Sequence, residues 1–132
     1  SAKFAEGHSN NGAIVTFTGL VRGGADDRLE AMEIEHYPGM TEAALNAMAE
    51  NAINRFSLGD ALIIHRYGRL VPGEVIMMVA TAARHRKDAF EAAEFLMDYL
   101  KSRAPFWKRE ISDSGASWVA SKDEDEDALS RW

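Results

Sequence analysis

The chain has 132 residues, no cysteine, and a formal net charge of −6 at pH 7. This length fits one compact domain, and a hydrophobic content of 46% is normal for a globular protein. The acidic balance argues against non-specific nucleic-acid binding as the main role. No apolar run approaches the roughly 18 residues of a membrane span. Without cysteine, the chain forms no disulfide or thiolate zinc site and carries no persulfide or thioester.

Patterns of hydrophobic residues predict eight elements in an α+β order. In chain order these are a strand at 13–19, a strand at 29–37, a helix that follows Thr41 and ends at 57–59, strands at 61–67 and 74–83, a helix at 87–102, and strands at 106–111 and 117–119. Thr41 is the predicted N-cap of the first helix, and Pro105 stops the second. Consecutive strands lack crossover helices, so mainly antiparallel pairing is predicted, with 61–67 and 74–83 joined through Val71-Pro72-Gly73.

The charges are unevenly distributed along these elements. Residues 123–127 form a block of five acids, whereas seven Lys and Arg stand against four acids between Arg84 and Arg109. A local basic cluster in an acidic protein is typical of a focused anion site. Solvated charges on helix faces produce the same composition, and composition alone favours that simpler interpretation.

Several common site types find no support in the residue pattern. The four histidines (His8, His36, His65 and His85) are scattered, and no pair has the close spacing of a zinc site. No P-loop or Gly-x-Gly-x-x-Gly occurs, and no Gly-x-Ser-x-Gly supports a Ser-His-Asp triad. Glu33 and Glu35 share one strand face, which is typical of the solvent side of a sheet.

Two basic stretches are stronger candidates for a functional site. Arg84-His85-Arg86 lies at a predicted helix start, where free N–H groups and the helix dipole favour anions. Lys101 and Lys108 flank a proline break and the aromatic pair Phe106-Trp107. A lysine beside apolar and cationic neighbours can serve in acid–base or nucleophilic chemistry, or polarise an oxyanion. Incidental loop charge and exposed lysines beside core aromatics stay open as alternatives, because spacing alone does not decide.

A resemblance to a known family rests on motifs that occur in one order along the chain. They cover Phe17–Arg22, Glu35–Thr41, Ile64–Gly68, His85-Arg86 and Tyr99–Lys108. Together they resemble the large, catalytic subunit of the molybdopterin synthase family, over a match from about Gly12 to Trp118. The segments Glu-His-Tyr-Pro-Gly-Met and Lys-x-Arg-Ala-Pro-Phe-Trp-Lys are long and specific.

The resemblance implies an α/β hammerhead-type fold of the α+β class, with mainly antiparallel strands and two principal helices. It also implies a cytoplasmic homodimer in which each large subunit binds one small ubiquitin-like sulfur-carrier subunit, giving a heterotetramer. Residues 1–132 are predicted to form a single catalytic-subunit domain. Within it, 1–12 is expected to be a loop or a shortened N-terminus, and about 120–132 an acidic C-terminal tail.

The implied reaction moves sulfur from the carrier's C-terminal Gly-Gly thiocarboxylate to cyclic pyranopterin monophosphate, and two sulfurs make the dithiolene of molybdopterin. No metal or cofactor is expected, because the partner's thiocarboxylate supplies the sulfur, in agreement with the absence of cysteine. Matching positions imply that Lys101 and Lys108 are catalytic. They also imply that Arg22, His85 and Arg86 bind the substrate's phosphate or pterin oxygens.

The chain departs from the family pattern at two positions. Arg84 replaces a residue that is commonly small. Lys122 is a further expected substrate ligand. It stands where some relatives have an arginine that reaches the neighbouring subunit's pocket. Lysine keeps the positive charge of that arginine but lacks its planar set of parallel N–H donors.

Two other functions compete with the sulfurtransferase interpretation. One is a non-catalytic module that binds the carrier or a pterin phosphate, although the intact set of basic residues speaks against degeneration. The other is a hydrolase of small phosphate esters that uses His85 and the lysines. The hydrolase differs from the leading interpretation in predicting turnover without a partner protein.

Overall fold

The computed structural model describes residues 10–23, 29–103, 106–112, 115–119, 123–130 and 132. In chain order the elements are β1 (Ala13–Leu20), β2 (Leu29–His36), α1 (Met40–Phe56), β3 (Asp60–His65), β4 (Gly68–Leu70), β5 (Val75–Ala83), α2 (Arg86–Ser102), β6 (Phe106–Ser112), β7 (Gly115–Val119) and α3 (Asp123–Ser130). These elements confirm the predicted mixture of helices and antiparallel strands. None of the described helices is long and apolar enough to cross a membrane.

The strands form two antiparallel sheets, one in the order β1-β5-β3 and one in the order β4-β2-β6-β7. The predicted pairing of β3 with β5 is confirmed. Their predicted direct connection is wrong, because residues 68–70 form β4 and pair with β2 of the other sheet. Gly68 has a φ of 90°, a conformation that glycine adopts readily, and it stands where the chain passes from one sheet to the other.

The main core lies between the three-stranded sheet and the helices α1 and α2. On α1, Met48, Ala52 and Phe56 are buried, and their spacing of four residues places them on one face of the helix. On α2, Leu96 is fully buried. A smaller cluster around Ile34 joins the two sheets through Val21 and Leu70. The cavity described below lies beside this second cluster.

The start of α1 differs from the prediction that Thr41 is its N-cap. The helix begins at Met40, and Gly39, with a φ of 82°, is the N-cap. Thr41 is buried inside the first turn, and its Oγ1 has no hydrogen-bond partner in the described part of the chain. The prediction was wrong because the Pro38-Gly39 turn already redirects the chain into the helix, two residues earlier than a threonine cap at position 41 requires.

The predicted acidic tail contains the helix α3, which packs against α2. After it, the ring of Trp132 lies edge-on to Phe56 and Phe95, at centroid distances of 5.8 and 5.6 Å. Its indole N–H donates to the carboxylate of Asp98 at 2.5 Å. Trp132 therefore anchors the end of the chain to the core, so the segment is more than a solvated tail. The sequence did not predict this packing, because the acidic block contains no apolar stripe.

Candidate active site

A cavity of about 530 Å³ lies where β1, β2, β5 and β6 meet the last turn of α2. This volume falls within the usual range of small-molecule sites. Part of its wall is apolar, including Phe17, Met32, Ile76 and Leu100. Its polar and charged side chains are Thr18, Arg22, His65, Lys101, Lys108 and Glu110. Three cations face one carboxylate, so the cavity suits an anionic ligand.

Lys101 reaches the cavity from the last turn of α2. The burial of Leu96 and the contribution of Leu100 to the cavity wall fix how this helix end is rotated. The helix dipole favours a cation in this turn by roughly 0.3–1 kcal/mol, which by itself explains a basic residue here. The dipole does not explain why Lys101 lines the same cavity as Arg22 and Lys108.

Lys108 reaches the same cavity from β6, which is hydrogen-bonded to β2 on one side and to β7 on the other. A strand held on both sides has a well-fixed backbone. Because side chains alternate along a strand, Phe106, Lys108 and Glu110 share one face of β6. The structure thus brings together the two lysines that the sequence analysis selected, and it places Glu110 beside them.

Arg22 follows β1 and lines the mouth of the cavity. Val21, the residue before Arg22, makes two backbone hydrogen bonds. Its N–H donates to the carbonyl of Glu74 at 2.9 Å, and its carbonyl accepts from the N–H of Gly73 at 2.8 Å. These bonds tie the end of β1 to the turn before β5. Arg22 is exposed, so its guanidinium is available to a ligand.

His65 lines the cavity although the sequence analysis gave it no role. Its ring stacks on Phe106 at 3.8 Å, and its Nδ1 donates to the backbone carbonyl of Arg66 at 2.7 Å. Burial lowers the pKa of His65 to about 4; the bond to Arg66 opposes this shift, and the charge of Lys108 adds to it. The imidazole is therefore neutral near pH 7. Its place in the Ile64–Gly68 motif was the available signal.

His85 and Arg86 lie at the other end of α2, where His85 is the N-cap and both side chains are exposed. With 17 residues at 1.5 Å each, the ends of this helix are about 25 Å apart. Within one chain the structure therefore does not bring them to the cavity of Lys101, contrary to the expectation of a single pocket. Their role as substrate ligands stays a prediction. Lys122 lies outside the described residues, and its role also stays a prediction.

Glu33 is not the solvent-facing carboxylate that its strand position predicted. It is half-buried and forms a salt bridge with Arg109 on the neighbouring β6. The guanidinium of Arg109 also lies 5.5 Å from the ring centre of Trp118 on β7. This arrangement ties three strands together and accounts for Glu33 structurally. Over the described ranges, no three side chains of metal-ligating type come together.

Comparison with known proteins gives consistent results. The family model described as "MoaE protein" matches residues 1–103. The chain is 68% identical over 129 residues to the molybdopterin synthase catalytic subunit of Cereibacter sphaeroides, covering 98% of this chain and 88% of that protein. The solved structure of the molybdopterin biosynthesis MoaE protein from Burkholderia ambifaria is similar with a TM-score of 0.83 and 49% identity, covering 99% and 86%. That of molybdopterin synthase from Staphylococcus aureus has a TM-score of 0.80 and 32% identity, covering 85% and 82%.

Proposed function

The chain belongs to the MoaE protein family, and on that premise we propose that it is the catalytic large subunit of a molybdopterin synthase. It is a sulfurtransferase that takes sulfur from the C-terminal thiocarboxylate of a small ubiquitin-like carrier subunit. The acceptor is cyclic pyranopterin monophosphate, and two transfers make the molybdopterin dithiolene.

The observation that carries this proposal is the convergence of Arg22, Lys101 and Lys108 on one cavity from three separate parts of the chain. Both the carrier's thiocarboxylate and the substrate's phosphate are anions. A guanidinium can hold a phosphate through two parallel hydrogen bonds, which suits Arg22. Two ammonium groups suit the charge that moves between sulfur and oxygen during transfer.

In the proposed mechanism, the thiocarboxylate sulfur attacks an oxygen-bearing carbon of the pterin side chain. The new C–S bond forms as the bond from that carbon to its oxygen breaks, and the oxygen leaves as water or stays on the phosphate. Water then adds to the carrier's acyl carbon, the acyl–sulfur bond breaks, and the carrier leaves as a carboxylate. Lys101 stabilises the oxyanion at that acyl carbon or moves protons during attack and release. Lys108 anchors the substrate and balances its charge. No side chain of this enzyme carries the sulfur, since the chain has no cysteine.

The partners follow from the same proposal. Two large subunits form a homodimer, and each binds one carrier, giving a heterotetramer. Phe17 and Leu20 line the cavity and are exposed, so they offer apolar contact to the carrier's Gly-Gly tail as it enters. No cofactor is required, because the carrier brings the sulfur. The cytoplasmic location expected from the resemblance stays a prediction.

Reconstitution tests the proposal directly. Wild-type protein, thiocarboxylated carrier and cyclic pyranopterin monophosphate are expected to yield molybdopterin, measured as its fluorescent oxidation product. Omitting the carrier, or supplying it with an ordinary C-terminal carboxylate, is expected to abolish product. A folded protein that binds the carrier and yields no product would support the binding-module alternative. Hydrolysis of simple phosphate esters without any carrier would support the hydrolase.

Arg22→Ala is expected to raise the KM for cyclic pyranopterin monophosphate by about 10- to 100-fold, the range for losing hydrogen bonds to a charged group. The kcat is expected to change less, because a contact that binds the phosphate equally in substrate and transition state acts on KM and not on kcat. Arg22→Lys keeps the positive charge but loses the two parallel N–H donors of the guanidinium. Its KM is expected to lie between those of wild type and Arg22→Ala.

Arg69→Ala is the matched control, since Arg69 is an exposed arginine of β4 outside the cavity. Initial rates over a range of substrate concentrations separate KM from kcat for all three variants. An Arg22→Ala enzyme with wild-type KM would exclude Arg22 as a phosphate ligand.

A further inference from the structure

His65 is the one histidine among the described residues that line the cavity, and its ring is uncharged near pH 7. It is the last residue of β3. Its ring stacks on Phe106 at 3.8 Å with an interplanar angle of 21°. Phe106 in turn stands 6.2 Å from the ring of His36, so the imidazole is held within a column of aromatic rings. This packing fixes the plane of the His65 ring.

A hydrogen bond fixes which nitrogen of His65 carries the proton. Nδ1 lies 2.7 Å from the backbone oxygen of Arg66, and a carbonyl oxygen can only accept. The hydrogen of the neutral ring is therefore on Nδ1, and Nε2 keeps its lone pair. The guanidinium of Arg66 is turned to the neighbouring strand, where it donates to the carbonyl of Val75 at 3.2 Å and lies 3.7 Å from the carboxylate of Glu74.

Among the cations that line the cavity, Lys108 is the one whose charge lowers the pKa of His65. It shares one face of β6 with Phe106, on which the imidazole stacks. Lys108 and His65 line the same cavity, and the lysine's charge acts on the ring. The other ionisable groups around His65 are Arg22 from the segment after β1, Lys101 from α2, Glu110 from β6 and His36 from β2.

We propose that His65 is a positioning residue whose Nε2 accepts a hydrogen bond from the Lys108 ammonium, in the free enzyme as well as during the reaction, and so sets where that cation meets the substrate. The inference rests on the proposed sulfurtransferase function and adds a residue to it. The acceptor stays unprotonated throughout the working range, because burial holds the pKa of His65 at about 4. The contribution of His65 is therefore expected to be constant between pH 6 and 8.

Three substitutions separate the ring from its nitrogens. His65→Phe keeps the stack on Phe106 and removes both nitrogens. His65→Gln offers an amide near the position of Nε2, and His65→Asn offers one only near Nδ1. His65→Phe is expected to slow sulfur transfer by about tenfold, within the range of couplings between interacting side chains. His65→Gln is expected to recover part of that loss, and His65→Asn is not.

A double-mutant cycle with Lys108→Ala connects the effect to the lysine. If His65 acts through Lys108, then His65→Phe costs about tenfold in the wild-type background and little in the Lys108→Ala background. Multiplicative losses in the two backgrounds would overturn the proposal. The proposal would also be overturned if the ratio of the wild-type rate to the His65→Phe rate changed with pH and that change followed a pKa between 6 and 8. His36→Phe is the control, since it changes the next histidine of the ring column, outside the cavity lining.

A second readout needs no sulfur transfer and so distinguishes failure of this inference from failure of the proposed function. Acylation of Lys108 by an amine-directed reagent is followed by peptide mass spectrometry, with exposed Lys87 as the internal reference. Losing the acceptor is expected to raise the Lys108 rate severalfold, because a hydrogen bond to the ammonium favours its charged form. Equal relative rates in wild type and His65→Phe would overturn the proposal even if the enzyme makes molybdopterin.

Discussion

Lys101→Ala is expected to slow sulfur transfer by about 10²- to 10³-fold, the usual loss when one group that stabilises an oxyanion is removed. The fold is expected to survive, because Lys101 is exposed and contributes no side chain to either core cluster. Lys101→Arg keeps a cation with a different shape and is expected to retain part of the rate. Single-turnover formation of molybdopterin, started by mixing the loaded carrier complex with substrate, measures the chemical step.

Lys87→Ala is the control for Lys101→Ala. Lys87 lies on the same helix, its side chain is 82% exposed, and it makes a surface ion pair of 4.0 Å with Glu91. Removing it changes the charge of the helix equally and leaves the cavity intact. A folded Lys101→Ala enzyme that transfers sulfur at nearly the wild-type rate would show that Lys101 only stabilises the end of the helix and has no role in catalysis.

Phe95→Ala is expected to lower the free energy of unfolding by about 3–5 kcal/mol, the usual cost of truncating a buried aromatic ring. Phe95 is 1% exposed and lies among the rings of Phe56, Tyr99 and Trp132, at centroid distances of 5.4, 4.8 and 5.6 Å. Most domains have only about 5–15 kcal/mol in total, so this variant is expected to be marginally stable.

Urea denaturation followed by circular dichroism measures the effect of Phe95→Ala. Phe90→Ala is the matched control, because Phe90 lies on the same helix and is 61% exposed; its change is expected within about 0.5 kcal/mol. If Phe95→Ala lowered the free energy of unfolding by less than about 1 kcal/mol, the rings of Phe56 and Trp132 would have to move into the space that the Phe95 ring leaves. Because α2 also carries Lys101, sulfur transfer by Phe95→Ala is expected to fail at a lower temperature than in wild type.

The positions of Lys101 and Lys108 depend on how the core holds the elements that carry them. Phe95 and Leu96 fix α2 against the three-stranded sheet, and that placement determines where Lys101 stands at the helix end. Lys108 is placed independently by the second sheet. The cavity therefore forms where the two layers meet, and it brings Arg22 together with two lysines that lie far from it in the sequence.

The local pattern of residues was sufficient for most of the secondary structure. Apolar residues at helical spacing located α1 and α2, because a helix must bury one stripe whatever covers it. Alternation placed Glu33 and Glu35 on one face of β2 in the same way. The two lysines were identified because their motif is long and specific. These features are properties of a single element, and a single element is visible in the sequence.

Only the tertiary structure decided the features that depend on which elements meet. The short β4 pairs with β2 rather than extending the turn before β5. Glu33 finds Arg109, 76 residues away. Trp132 anchors an acidic segment that shows no apolar stripe. In each case the deciding contact joins residues far apart in the chain, and local periodicity carries no information about that partner.

The site shows the same division. Residue identity was enough to predict the family, the reaction and the basic residues expected to serve it. The tertiary structure decided that Arg22, Lys101 and Lys108 share a cavity and that His65 joins them as a neutral ring. It also decided that His85 and Arg86 lie at the far end of α2 within one chain. The physical reason is that burial, helix length and sheet pairing set distances between side chains, and no local pattern contains those distances.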